Sequence, residues 1–254
     1  MTVTYVGAGT QASGTSAGTR TLTPALPALS AVGDLMFLIV QSGRAASSTG
    51  PAMTDPAGWE RLKMHYMESG VGPKIQQGIW WRVKESGDTA PSVTFPSPLV
   101  YFSAQVVAYT SSTTAWAICS NVTFAASGSV VGPYTPVSPT LTATGCVFSF
   151  LNTSAPTIRT PDLTGSEASA NGFTRNIAST LPVFNYSGNA LATRDLVPAG
   201  LAPVPTWQTN NGGAFDSLLA TTVAFTSAPD TPPSTGGWRL GLSFGNNNGG
   251  FHRA

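Results

Sequence analysis

Short apolar segments separated by clusters of Gly, Pro, Ser and Asn run through the whole chain, and the strongest of them is AVGDLMFLIVQSGR, residues 31–44. Leu35 to Val40 are apolar without a break, so both sides of the segment need cover, which predicts a strand at the centre of a sheet. Gly33-Asp34 supplies the turn into it. QGIWWRVKESGD, residues 77–88, alternates instead. Its period of two puts Ile79, Trp81 and Val83 on a core face and Trp80, Arg82 and Lys84 on a wet face.

Further strands are expected at 2–7, 20–23, 92–95, 103–110, 120–126, 140–151 and 221–227, at the close spacing of a sandwich or barrel. Within 140–151, Cys146, Phe148 and Phe150 share one face. Between 152 and 215 the apolar residues are sparse, so long loops are expected there, with short strands at 181–186 and 189–193. Helices are expected only near 59–68 and 214–219. SAPDTPPSTGG, residues 227–237, reads as an extended linker. Beyond it Trp238, Leu240, Leu242 and Phe244 alternate in WRLGLSF, before a polar tail that contains Phe251. The chain thus divides into a β-sandwich domain, 1–227, and a C-terminal extension, 228–254. An amphipathic strand on a linker either completes its own sheet or adds to the edge of a neighbour's.

Composition sharpens the fold class. Charged residues are only 9% of the 254, with 27 Gly and 20 Pro, which leaves few residues suited to exposed helical faces. A hydrophobic share of 41% is enough for a folded core. The expected architecture is an antiparallel, jelly-roll-like β-sandwich. Its core is expected to hold Leu35, Phe37, Ile39, Ile79, Trp81, Val83, Phe95, Val107, Phe148, Phe150, Val223 and Phe225. A net charge of +1 without a basic run gives no electrostatic footprint for nucleic acid or an anionic membrane, so neither is expected as a partner. No apolar stretch is long enough for a transmembrane helix, and MTVTYVGAGT does not read as a signal peptide. The expectation is a protein that stays in the cytoplasm where it is made until it assembles. In that compartment Cys119 and Cys146 are expected as buried free thiols, and the sequons at Asn121, Asn152 and Asn185 carry no weight.

Candidate chemistry is sparse. Of two histidines, His65 and His252, neither has an acidic or cysteine neighbour in sequence. The sequence holds no G-x-S-x-G, H-E-x-x-H or C-x-x-C, and GAGTQASG at 7–14 lacks the spacing of a phosphate loop. Eleven carboxylates are dispersed, Asp34 and Asp55 are expected as turn residues, and no metal site, cofactor or catalytic residue is expected. A non-enzymatic protein follows. Trp80 beside Arg82 is the candidate surface pair: the indole stacks on a sugar or a partner, or it lies under a loop with Arg82 over its ring.

Three segments occur in a familiar order: Gly33-Asp34-Leu35 leading an apolar strand, Asp55-Pro-Ala-Gly-Trp59, and Ile79-Trp-Trp-Arg-Val83 with Ser86-Gly87-Asp88. Ser92 to Phe95 and Ala108-Tyr109 follow. The set resembles a family of β-sandwich proteins of tailed-phage virions with "GDLL", "P-x-G-W", "YRVA-x-x-GD" and "A-Y" motifs, and it covers residues 1–150. Trp81 stands where Tyr is usual, Ser86 where Ala is usual, and Thr110-Ser111 where Arg-Gly is common. The resemblance implies a virion role, as a capsid decoration or minor capsid protein or as a tail or fibre component, oligomeric and bound to capsid or tail proteins. Partner contact is expected at Trp80, Arg82, Trp238, Leu240, Leu242, Phe244 and Phe251. Decoration of the head is favoured because the chain shows no fibre repeat or coiled coil. The competing readings are an adhesin that binds host glycan through Trp80, Trp207 and the 152–215 loops, and a hydrolase on a sandwich scaffold.

Overall fold

A computed structural model describes residues 2–14, 20–44, 53–67, 74–95, 101–113, 115–130, 133–154, 161–163, 171–180, 187–209 and 215–228. The first half of the chain forms β1 (Val3–Ala8), β2 (Ala12–Gly14), β3 (Arg20–Leu22), β4 (Leu35–Arg44), β5 (Glu60–Met67), β6 (Lys74–Val83), β7 (Val93–Phe95) and β8 (Tyr101–Ser111). The second half forms β9 (Ala115–Ile118), β10 (Thr123–Val130), β11 (Thr140–Leu141), β12 (Gly145–Ser154), β13 (Pro161–Leu163), β14 (Thr174–Thr180), β15 (Ser187–Val197), β16 (Gly200–Leu201), β17 (Trp207–Thr209) and β18 (Phe215–Ala228). The fold is all-β and antiparallel, as the composition predicts.

Both helix expectations are corrected. The stretch 59–68 contains strand β5, and 214–219 contains the start of β18. Glu60-Arg-Leu-Lys-Met64 and Leu218-Leu-Ala220 have good helix propensity, and pairing with β6 and with β12 overrides it. The 152–215 region also holds more structure than expected, since β14, β15 and β17 lie in it; the expected strand at 181–186 falls outside the described residues.

Two six-stranded sheets carry the architecture. Sheet I is ordered β1-β8-β4-β6-β5, with β2 also on β8, and sheet II is ordered β10-β18-β12-β15-β14, with β9 also on β18. Each sheet is drawn from one half of the chain. This order does not supply the alternation of successive strands between sheets that a jelly roll requires. The two halves instead repeat one plan: the first strand pairs with the last, the last with the second, the second with the fourth, and the fourth with the third. The edge strand opposite β8 is broken into β1 and β2, and the one opposite β18 is broken into β9 and β10.

Register repeats with topology. Leu35 opposite Tyr109 and Phe37 opposite Val107 in sheet I match Cys146 opposite Phe225 and Phe148 opposite Val223 in sheet II. The β5–β6 ladder is irregular between Arg61 and Lys63, and the β14–β15 ladder between Arg175 and Ile177. Gly58 and Gly172, which lead into those edge strands, have φ of 75° and 72°, a left-handed geometry that favours glycine. AQVVAYTS (104–111) and ATTVAFTS (220–227) occupy equivalent strands, as do AGWER (57–61) and NGFTR (171–175). The protein is an internal duplication.

The halves meet face to face through aromatic rings. Phe37 lies against Phe148 with ring centroids 4.8 Å apart. Around this pair the contacts exchange: Phe37 meets Phe225 edge-on at 5.4 Å, and Phe148 meets Tyr109 edge-on at 5.0 Å. Leu35, Ile39, Ile79, Val107, Cys146, Phe150, Leu191 and Val223 complete this central layer, with Trp81 and Val83 partly buried at its margin. Of the expected core residues, all but Trp81 and Val83 are thus buried, and Phe95 belongs to a different layer, outside sheet I.

That outer layer overturns the wet face assigned to β6. Leu22, Val93 and Phe95, from the two-stranded β3–β7 sheet, together with Met53 and Trp59, cover Met36, Leu38, Val40 and Trp80. Trp80 is fully buried, its ring lying over Gly78, where a Cβ would come within 2.4 Å of the indole. Sheet II is covered likewise by Leu141, Phe173, Ala202 and Trp207. Where sheet I has Leu38 opposite Trp80, sheet II has Ser149 opposite Ala192, and the Trp207 indole donates to Ser149 Oγ at 3.3 Å. The bulk that one half supplies from a strand, the other supplies from a covering segment.

At one end of the central layer the apolar residues give way to amides. Gln41 opposite Gln77 and Asn152 opposite Asn189 are all buried. Thr221 Oγ1 donates to Gln77 Oε1 at 3.1 Å, and Asn152 Nδ2 donates to the Gln76 carbonyl at 3.1 Å. Val3, Ser111, Ala115 and Ala228 lie at the opposite end, as the pairings of β1 with β8 and of β9 with β18 require. Along one seam, β5 meets β10: the His65 ring stacks on Phe124 at 4.1 Å, and Lys63 Nζ lies 4.2 Å from the centre of the same ring.

Two stability predictions follow from this packing. Phe37→Ala or Phe148→Ala is expected to lower unfolding free energy by about 3–5 kcal/mol, because each opens a cavity between the sheets, and urea denaturation reads it directly. Burial, with the Lys63 charge adding to it, lowers the His65 pKa from 6.5 to about 3. The unfolded chain therefore takes up this proton first as the pH falls. The stabilisation is complete above pH 6.5 and is lost progressively toward pH 3. His65→Phe, which keeps a ring on Phe124, should flatten that part of a melting-temperature-against-pH curve.

Candidate functional site

The expected surface pair is taken apart by the fold. Trp80 faces the outer apolar layer, and its Nε1 donates to Asp55 Oδ1 at 2.7 Å. Arg82 lies 6.0 Å from the Trp59 ring centre, so the cation–aromatic contact exists but with a different tryptophan. Arg82 also pairs with Asp88 at 2.7 Å and Glu85 at 3.4 Å. Neither Trp80 nor Trp207 is available to stack on a glycan, since both are fully buried. Trp238, Leu240, Leu242, Phe244 and Phe251 lie outside the described residues, as does His252.

Asp34 is a turn residue, as expected: its Oδ2 accepts from Ala31 N–H at 2.7 Å, and its own N–H donates to the Ala31 carbonyl. Asp55 does more than turn the chain. Burial acts to raise its pKa, but the hydrogen bonds from Trp80 and Arg61, with the Arg61 charge, hold the carboxyl below its ordinary value. Cys119 and Cys146 are buried and free, and burial pushes both thiols up, most strongly Cys146, which keeps them in the unreactive protonated form. Among the described residues no group of three His, Cys, Asp or Glu side chains could hold a metal ion.

Duplication brings two related clefts to the surface. In half I, Gly58, Glu60, Trp81, Arg82, Val83 and Glu85 line a cleft of about 240 Å³. In half II, Gly172, Thr174, Asn176, Thr193, Arg194 and Asp195 line a cleft of about 430 Å³, closed on its far side by Val3, Thr4 and Tyr5 of β1. The registers equate Trp81 with Thr193 and Arg82 with Arg194: Met36 is opposite Arg82, and Val147 is opposite Arg194. In both halves the arginine side chain lies by the left-handed glycine, Gly58 for Arg82 and Gly172 for Arg194.

The second cleft sits on a seam held by polar contacts. Val3 N–H donates to Asp195 Oδ2 at 2.9 Å. Tyr109 Oη and Thr193 Oγ1 both donate to Asn176 Oδ1, at 3.1 and 2.7 Å, which fixes the amide with its Nδ2 as the remaining donor. Arg194 Nη1 donates to the Asn171 carbonyl. Sequence reasoning missed all of these residues. The repeated Gly-aromatic-x-Arg and Ala-x-x-Val-Ala-aromatic-Thr-Ser patterns align β5 with β14 and β8 with β18, and the strand register then places Arg194 on Arg82.

The arrangement around Arg82 separates two acids by their burial. The Asp88 side chain is 9% exposed and the Glu85 side chain 78%. Asp88→Ala leaves a guanidinium without its close partner and also removes the acceptor of the Glu85 N–H, a 2.8 Å turn contact. A loss of about 2 kcal/mol in denaturant unfolding is expected. Glu85→Ala should change stability by less than about 0.5 kcal/mol.

Comparison of the chain with protein-family models, with curated proteins and with solved structures returns no match.

Proposed function

We propose that the chain is a non-enzymatic structural component of a bacteriophage virion, bound to the particle as a capsid decoration or minor capsid protein. The observation that carries this reading is where the resembling motifs fall. Gly33-Asp34 turns the chain into the central strand β4; Pro56-Ala-Gly-Trp59 turns it into β5, with Gly58 left-handed and Trp59 buried; Ile79 to Val83 is the second central strand. Asp88 of Ser86-Gly-Asp88 pairs with Arg82, and Ala108-Tyr109 puts a ring beside Phe37. These are positions on which this fold depends, and that placement is what supports the reading.

The geometry also suits a body attached at one end. Ala228 lies at the same end as Val3, so the extension 229–254 leaves from there, and the buried amides mark the other end. The extension, with its alternating Trp238, Leu240, Leu242 and Phe244, is the proposed contact with capsid or tail proteins, and a symmetric oligomer is the expected state on a symmetric particle. A tail- or fibre-associated adhesin is the second reading, favoured by the polar cleft of half II.

Quantitative mass spectrometry of purified particles tests the assignment. A copy number equal to that of the main shell protein, or a simple fraction of it, is expected for a head decoration. A ratio of about a hundredth would move the protein to the tail or a vertex, since tail parts are present in few copies per symmetric shell. Absence from the particle would overturn the virion reading.

A further inference from the structure

We infer that the half II cleft, between β1 and the β14–β15 edge, is a binding site for a carboxylated sugar. The inference does not rest on the virion reading. It comes from what duplication kept and what it changed. Both halves place an arginine at the same register position beside the same left-handed glycine. In half I two carboxylates, Asp88 and Glu85, occupy that arginine. In half II the segment that follows Asp195 is Leu196-Val-Pro-Ala-Gly200, the end of β15 and the turn after it, and it supplies no acid. Among the described residues no carboxylate lies within ion-pair distance of Arg194. Its side chain donates to the Asn171 carbonyl and lies by Gly172, and both Arg194 and Gly172 line the cleft.

The other lining groups specify the ligand class. Asn176 presents Nδ2 as a donor, because two hydroxyls saturate its Oδ1. A guanidinium without an ion-pair partner binds a planar carboxylate through two parallel hydrogen bonds, and Asn176 is a further lining residue with a donor to offer. Thr4, Tyr5, Thr174 and Thr193 bring hydroxyl groups to the same cleft, and Asp195 brings a carboxylate. A carboxylate acceptor suits ring hydroxyls and opposes a doubly charged phosphate. Val3 and Tyr5 are the lining residues with large apolar groups, and a cleft of about 430 Å³ is within the range of small-molecule sites. Glu60 stands in half I where half II has Thr174, so the half I cleft carries an acid at the position that the half II cleft leaves neutral.

Isothermal titration calorimetry of the full chain with D-glucuronate and N-acetylneuraminate tests the site, with D-glucose and acetate as comparators. At least one acidic sugar should bind saturably, about tenfold or more tighter than glucose or acetate, a gap equivalent to one charge-assisted hydrogen bond. Arg194→Met should weaken that binding by about tenfold or more. Thr174→Glu, which copies half I at an exposed position, should do the same without disturbing the fold, and it decides the matter if Arg194→Met fails to fold. No binding of either acidic sugar would overturn the inference. So would equal binding of glucose, equal binding of acetate, or wild-type affinity in Thr174→Glu.

Discussion

Four rings at the centre of the sandwich, Phe37, Tyr109, Phe148 and Phe225, set the relation between its halves. Their contacts are unchanged in kind when the halves are exchanged: Phe37 with Phe225 corresponds to Phe148 with Tyr109, and Phe37 with Tyr109 to Phe148 with Phe225. Aromatic pairs favour edge-to-face geometry, and these pairs adopt it, so the sheets are held at one relative position by shape as well as by burial. Equivalent strands then run in the same direction. The buried amides collect at one end, and the start of β1 and the end of β18 lie at the other. Each sheet is also apolar on its outer side, so each half must find its own cover. Leu22, Val93, Phe95 and Trp59 do this in one half, and Leu141, Phe173 and Trp207 in the other.

Strand β4 was legible because six consecutive apolar residues admit only a position covered on both faces. The face assignment of β6 failed for a related reason. Alternation distinguishes a core side from a wet side only when the second side meets water, and here a segment remote in sequence lies over it. Trp80, Arg82 and Lys84 read as exposed because two of the three are charged; the charges are accommodated at the strand's end, through Asp88 for Arg82 and the Ser30 carbonyl for Lys84. The helix-like composition of 60–64 yielded to an edge pairing that no local window contains. The duplication was present in the sequence at Ala104–Ser111 and Ala220–Ser227, but the glycine-aromatic-arginine segments that confirm it differ at their flanking positions. Register, not residue identity, is what makes the match secure.

Divergence between the halves carries the functional information. Where both keep the same residue, as at Gly58 and Gly172 or Arg82 and Arg194, the fold accounts for it: a left-handed turn beside a long side chain. Where they differ, the fold does not require the difference. One seam is closed by His65 and Lys63 on Phe124, an apolar stack with one charge. The other is held by hydroxyls, an amide and a backbone N–H on Asp195, and it leaves a polar cleft. The candidate site therefore lies where, among the described residues, Arg194 lacks the ion pairs that Arg82 makes in the other half.

Exchange of the halves about the central rings has a further consequence for assembly. A homodimer presents a two-fold surface only at concentrations where its subunits associate. This chain builds an approximate two-fold within one molecule, with residues 112–114 as its covalent join. A single copy therefore carries this approximate symmetry at any concentration. Because the halves are unequal in their clefts, that symmetry is broken on one side of the molecule.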